Sequence, residues 1–463
     1  MNFYTIKKTI IIHLLLLLPP TMLFSQVENN ISQQDKLYGL SLIWREATYN
    51  FAYFDKIGIN KWDSIYFDAI ERVKETDNDY LYYRELQRFI AQLQDGHTAI
   101  TYFPKYINRW TTIFENYKIE LSYVENKIVV SRVNYSKKDE LPIGSELIEI
   151  NGINSHEYLE KGVLPYISAS TDYVRYEFAA YSILEGLKGV KYKVKFKTPK
   201  GKILSMELIH KRLEERKVYP EYPDNKEFEF KWLEHKIAYI AINNFSDSSM
   251  VETFKSYLGE LYKAKGLIID IRYNYGGKTK VGLDIFKYLT NDENIFGERL
   301  SSRKNIASYF VDGKYIAIAD TFNSAYDKEA YLGYRFKLFE NFDYEPFYND
   351  CKAKKITIPT VILIGHNTAS AAEDFLVFAR QQKHITLIGE KTFGSTGSSI
   401  QIKLPKGGKA RICVLRSLYP DGTEFVGKGI SPDVEVKRTI KSLIENGDKV
   451  LLKAENILKN NGL

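Results

Sequence analysis

A serine hydroxyl attacks a carbonyl only when a base takes its proton and N–H groups receive the charge that develops on the carbonyl oxygen. One stretch of this 463-residue chain offers the first part of such a device. Ile364-Gly-His-Asn-Thr-Ala-Ser370-Ala-Ala-Glu-Asp-Phe375 reads as the end of a buried strand, a polar turn, and a helix that starts at Ser370. That puts a hydroxyl at a helix N-terminus, at the carboxyl end of a strand, where α/β sheets hold ligands. Unpaired backbone N–H groups there can hold an oxyanion. Ala369 and Ala371 are small enough to let a carbonyl approach. Taken alone, the same serine also reads as an ordinary helix cap.

Three further stretches have the same strand-then-glycine form. Gly266-Leu-Ile-Ile-Asp-Ile-Arg-Tyr-Asn-Tyr-Gly-Gly277 is a buried strand ending in a glycine turn, which could supply a second oxyanion N–H. Its plainer reading is a strand-to-helix turn with Asp270 and Arg272 paired. Gly389-Glu-Lys-Thr-Phe-Gly-Ser-Thr-Gly397 follows another buried strand, and Asp421-Gly-Thr-Glu-Phe-Val-Gly-Lys-Gly-Ile-Ser-Pro-Asp433 is a fourth such loop. Each is weak by itself; the four together around one strand-helix core are specific.

The elements that must position them fall into blocks. Residues 1–25 carry Lys7 and Lys8, a mostly apolar run and a small residue, the pattern of a signal peptide. Residues 26–110 have apolar positions at helical spacing, such as Leu37, Leu40 and Trp44. Residues 111–210 alternate as short strands and read as a β-rich module. Residues 211–235 are charged, contain Pro220 and Pro223, and read as a linker. Residues 236–445 alternate strands and helices, which implies a largely parallel sheet, and 446–463 read as a C-terminal helix. Within this last large block, 295–350 lack a period and read as an insertion, a lid or substrate wall. The fold class expected is multidomain α/β.

Composition narrows the function classes. Hydrophobic residues are 44% and charged residues 27%, as in soluble globular proteins. The net charge of +7 is interspersed, so no nucleic-acid partner is expected. Two cysteines, Cys351 and Cys413, cannot form a metal cluster alone, and they read either as a pair or as buried thiols. No metal-ligand spacing occurs, and no cofactor is expected. After signal removal the chain should be soluble and exported: periplasmic, at the cell surface or secreted. Its oligomeric state is not readable.

These stretches resemble the tail-specific or carboxyl-terminal processing peptidases and the core of the tricorn protease. The resemblance runs well over 236–436 and extends to 115–205. There, Leu141-Pro-Ile-Gly-Ser-Glu-Leu-Ile-Glu-Ile-Asn-Gly152 is similar to the family's PDZ-like peptide-binding domain. It implies a ClpP/crotonase-like ββα spiral for the catalytic domain. Thr368-Ala-Ser-Ala-Ala-Glu373 matches the family's nucleophile motif, which puts the nucleophile on Ser370. The oxyanion donors implied are the N–H of Ala371 and of Gly276 or Gly277. The processing peptidases use a lysine base in a Phe-Gly-Lys-Gly loop. Here Phe393-Gly-Ser-Thr396 places Ser395 at that position, and Lys391 is out of register.

The tricorn branch instead uses a histidine from an earlier segment, which Gln94-Asp-Gly-His-Thr98 resembles. His97 is therefore the base expected among the seven histidines, ahead of His366. Glu424 is expected to orient it, and Glu373 reads as either a motif residue or a structural partner. The expectation is a serine peptidase acting on peptides or proteins. The alternative is a non-catalytic binder on the same scaffold, like the interphotoreceptor retinoid-binding modules.

Overall fold

The computed structural model describes residues 30–224 and 226–460. The expected signal peptide lies outside them. Helices α1 (Gln33–Asn50), α2 (Ile59–Lys74) and α3 (Asp79–Ala91) come first. The side chains of Ser32 and Asn78 accept N–H groups at the starts of α1 and α3. Trp62 of α2 stacks on Phe89 of α3 at 4.4 Å between ring centroids. Leu40, Tyr82, Leu86 and Phe89 belong to one buried cluster with Phe375 and Ile412 from the far end of the chain. The helical region is thus packed into the main core. It leads through Asp95 and His97 into β1 (Ala99–Tyr102).

The β-rich module holds β2 (Ile119–Val124), β3 (Lys127–Asn134), β4 (Glu146–Ile150), α4 (Asp172–Ser182), β5 (Lys191–Lys197) and β6 (Ile203–Ile209). Its strands pair antiparallel in the order β2-β3-β4-β5-β6. The β2–β3 turn is Glu125-Asn126, both at positive φ (51° and 58°), the two-residue turn whose twist suits a hairpin. Leu121, Ile128, Leu147 and Phe196 form a core separate from the main one.

The expected linker contributes a strand to each side. Val218 and Tyr219 pair with Asn134 and Val133 of the module. Strand β7 (Phe228–Leu233) pairs antiparallel with β8 (Ile237–Ile242). Its charged residues suit an edge strand, which is why the composition reads as a loop.

The main sheet continues with β9 (Gly266–Asp270). Helix α5 (Thr279–Phe286), β10 (Thr360–Ile364), α6 (Ala371–Ala379) and β11 (Ile385–Gly389) follow. Strands β8, β9, β10 and β11 run parallel and in sequence order. Every residue of β8, β9 and β10 is buried, as a sheet covered on both faces requires. Ile240, Ile269 and Ile362 face Phe286 and Phe375 of α5 and α6. Tyr239, Ile268 and Leu363 face the opposite side, where Ala454 and Leu458 of the C-terminal helix (Lys449–Asn460) cover them.

Strands β12 (Ser399–Lys403) and β13 (Lys409–Cys413) form a hairpin, and β1 pairs with β13, Ala99 opposite Arg411. That pairing carries the Asp95–His97 turn to the main sheet. Residues 295–350 fold as short strands and helices; Arg299–Arg303 pairs with Leu415–Leu418, and Phe336 packs on Phe54. Cys351 and Cys413 are both free thiols. No described helix is long and apolar enough to cross a membrane.

Candidate active site

Strand β10 delivers the chain to a tight turn. The Thr368 hydroxyl donates to Ile271 O at 2.9 Å and accepts from Gly365 N–H at 3.1 Å. Ala369 N–H donates to Asn274 O, and Ser370 N–H to Ser395 O. These bonds hold Ser370 at φ 56°, ψ −128°, immediately before α6. Such a conformation costs a non-glycine residue roughly 1–3 kcal/mol and persists only where the surroundings over-determine it. The Ser370 side chain makes no capping bond to α6. Its Oγ lies 3.3 Å from His97 Nε2, although 273 residues separate the two.

The other face of the imidazole is also occupied. His97 Nδ1 lies 2.7 Å from Ser395 Oγ, and Ser395 Oγ lies 3.3 Å from Asp95 Oδ1. Asp95 has no proton to give as a carboxylate, so the chain has one consistent direction. Ser395 O–H donates to Asp95, His97 Nδ1–H donates to Ser395 Oγ, and Nε2 is left as the acceptor facing Ser370. Burial holds the His97 pKa below its ordinary 6.5; Asp95 opposes that and Arg411 adds to it. The imidazole is therefore neutral near pH 7, the form a base requires.

Ser395 is itself held. Glu373, fully buried in the first turn of α6, accepts Gly394 N–H and Ser395 N–H, each at 2.9 Å, and the Thr392 hydroxyl. Burial raises its carboxyl to about 7 against these donors. Asp95 also accepts the Ser170 hydroxyl at 3.1 Å, and Ser170 Oγ accepts Gly96 N–H at 2.9 Å. The histidine turn is thereby tied to the module.

Not every expected residue reaches the site. Glu424 is a correction. It lies on the 419–424 turn, where its carboxylate is 3.5 Å from Lys56, and Ser395 occupies the His97 atom it was expected to meet. Gly276 is a second. Its N–H already donates to Asn274 Oδ1 at 2.8 Å, so it is not free for an oxyanion. No described residue accepts from Gly277 N–H or Ala371 N–H. Gly276 matters sterically: at φ 96°, an added Cβ would lie 2.6 Å from Ser370 Cβ and 2.8 Å from Ala371 N. His366 bonds Glu177 at 2.7 Å and stacks on Tyr173, so it joins the module to the main sheet. Lys391 is exposed.

Sequence reasoning missed Asp95 and Ser395 as partners of His97. Both stand inside the two stretches that were singled out, and an acid two residues before a histidine was the available signal.

Ser370 and His97 open onto a cleft of about 580 Å³. Gly277, Ala369, Phe393 and Tyr275 line it from the main domain, and Tyr166, Ile167, Phe178 and Tyr181 from the module. No residue of 295–350 lines it, which corrects the expected lid or wall; that segment packs instead on Phe54 and Leu415–Leu418.

Residues 236–436 match the family model of Peptidase family S41. Among relatives, the chain is 24% identical over 383 residues to the carboxy-terminal processing protease CtpB of Bacillus subtilis, covering 80% of this chain and 65% of that one. It is 25% identical over 262 residues to CtpA of the same organism, covering 56% of this chain and 45% of that one. The chain thus spans about half to two thirds of these two relatives. To the carboxyl-terminal-processing protease of Picosynechococcus it is 24% identical over 422 residues, covering 90% and 87%. Among solved structures, mature CPAF superposes with a TM-score of 0.67 at 14% identity, over 93% of this chain and 99% of that one, a likeness of fold.

Proposed function

We propose that this chain is an exported serine peptidase that cuts peptide bonds through an acyl-enzyme on Ser370, with His97 as general base. The observation that carries this reading is the unbroken chain Ser370–His97–Ser395–Asp95 facing an open cleft. His97 Nε2 takes the Ser370 proton as Oγ attacks the peptide carbonyl. The oxyanion so formed is received by the N–H groups of Gly277 and Ala371. The Nδ1–H bond to Ser395 stabilises the imidazolium, with the Asp95 charge beyond it. His97 then returns the proton to the leaving amine. Water enters by the same base and releases the second product.

The resemblance supports a ClpP/crotonase-like reading of the main sheet and a PDZ-like reading of the module, which would capture an extended peptide at a strand edge. The basic and apolar start of the chain supports export. The test is a digest of a mixed peptide library followed by mass spectrometry. New termini in the products, with a transient acyl adduct on Ser370, are expected; an intact library with adduct-free protein contradicts the reading.

A further inference from the structure

A second hollow, of about 250 Å³, lies behind the histidine turn. Asp95 lines it and does not line the cleft that Ser370 faces. Asp95 is 2% exposed, and its two carboxylate oxygens are unequally served. Oδ1 accepts the hydroxyls of Ser395 and Ser170. Oδ2 is buried and receives no donor from the described residues. A buried carboxylate oxygen without a donor is costly, and folded proteins almost always supply one. A single water would meet the need but fill little of the hollow, since it takes up roughly 30 Å³.

The charges around the hollow say what larger group would fit. Lys56 and Lys61 line it as well, and both are exposed. Lys56 lies 3.5 Å from Glu424 and over the Tyr53 ring. Lys61 has no ion-pair partner among the described residues. Exposure thus sets the lysines at the mouth and Asp95 at the floor. Phe51, Leu93 and Val426 give the hollow an apolar wall. A plain anion would be repelled by Asp95, and a plain cation would have to pass two lysines. A molecule with a cationic end, a short apolar body and an anionic end meets all three surfaces.

We propose that this hollow binds a free aliphatic amino acid or dipeptide, its ammonium on Asp95 Oδ2 and its carboxylate on Lys56 and Lys61, and that the bound ligand slows the site on the other side of Asp95. On the proposed mechanism the Asp95 charge supports the His97 imidazolium through Ser395, and an ammonium on Oδ2 offsets that charge. Amino acids and short peptides are the end products of peptide hydrolysis. The hollow therefore returns a signal from product to catalyst without filling the cleft. The effect on rate rests on the peptidase reading; the binding does not. No bond is made or broken at this site.

Binding is measured by isothermal titration calorimetry on the Ser370→Ala protein. The probes are L-leucine, leucyl-leucine, isoamylamine (which lacks the carboxylate) and isocaproate (which lacks the ammonium). Leucine or leucyl-leucine should bind at least about tenfold more tightly than either truncated probe. With Lys56→Gln and Lys61→Gln added, leucine should weaken about tenfold while isoamylamine binds no worse, because a repelling charge has gone. With Asp95→Asn added, both should weaken. In the wild-type protein, saturating leucine should lower kcat on a peptide substrate about fivefold or more with KM little changed, and the double lysine variant should not respond. No binding of leucine or leucyl-leucine overturns the proposal. So does binding that survives the lysine and Asp95 substitutions, since the ligand then sits elsewhere. Binding at the hollow without a change in kcat overturns the coupling. If no peptide is cut at all, the peptidase reading has failed, and the calorimetry alone decides the site.

Discussion

His97 can act as a base only if its second nitrogen is kept as a donor, and that task falls to Ser395 rather than to an acid in direct contact. Removing the Ser395 hydroxyl leaves Nδ1–H without its acceptor and frees the ring to turn. Ser395→Ala should therefore lower kcat/KM about tenfold to a hundredfold, mainly in kcat, since the cleft walls are untouched. Asp95→Asn should cost a similar amount, and the double variant little more than the worse single one, because the two act through one chain. The pH profile carries an independent signature. Burial holds the imidazole pKa below 6.5, so the acid limb of kcat/KM should fall only below that pH. Asp95 raises the His97 pKa. In Asp95→Asn the limb should move further down in pH, measured as kcat/KM from pH 4.5 to 8. An unmoved limb would place the coupling elsewhere.

Two elements bring the serine and histidine together. The β10–α6 turn strains Ser370, and the β1–β13 pairing carries in the histidine turn. Gly276 sits against the first of these. Gly276→Ala adds a Cβ 2.6 Å from Ser370 Cβ at a φ of 96°, so it should displace Ser370 and cost about a hundredfold in activity. Stability should change less than activity, read by comparing the Tm with kcat. Glu373 links α6 to the Ser395 loop, and its pH behaviour has a definite sign. A carboxyl raised from 4.5 to about 7 binds its proton more tightly in the folded chain. Its contribution to stability is complete below pH 4.5 and declines as pH rises toward 7. Relative to Glu373→Gln, wild type should lose Tm across that window. Glu373→Gln should also be destabilised overall by about 1–3 kcal/mol, because one oxygen cannot serve Gly394, Ser395 and Thr392 together.

At the scale of the whole molecule, the module is bolted to the catalytic half at several points. The Tyr173 hydroxyl donates to Thr392 O at 2.6 Å, Thr171 donates to Phe393 O, and Arg438 pairs with both Glu177 and Glu390. Since α4 also lines the cleft, loosening it should open the substrate wall. Tyr173→Ala should raise KM several-fold more than it lowers kcat, with the module's own core intact by circular dichroism.

How much of this was legible from sequence follows from what each feature depends on. Ser370 was readable because a buried strand, a small-residue turn and a helix are local patterns. His97 was reached through family resemblance, since no local pattern predicts a contact across 273 residues. Its orienting partner was misassigned to Glu424, because the choice rests on which loop Glu373 pins beneath the imidazole. Gly276 and Gly277 could not be told apart, since only the Asn274 side chain decides which N–H is spent. The segment 295–350 reads as a lid by composition, but its anchoring strand pairs with Leu415–Leu418 away from the cleft.

An activated Ser370 with His97 as its base must react with an electrophile far faster than an ordinary serine. The most direct measurement is the rate of fluorophosphonate labelling of the purified protein, compared with Ser370→Ala and His97→Ala. Wild type should label at a single site, Ser370→Ala not at all, and His97→Ala at least about a hundredfold more slowly. A folded wild-type protein that fails to label, or a His97→Ala variant that labels as fast, would contradict that pairing.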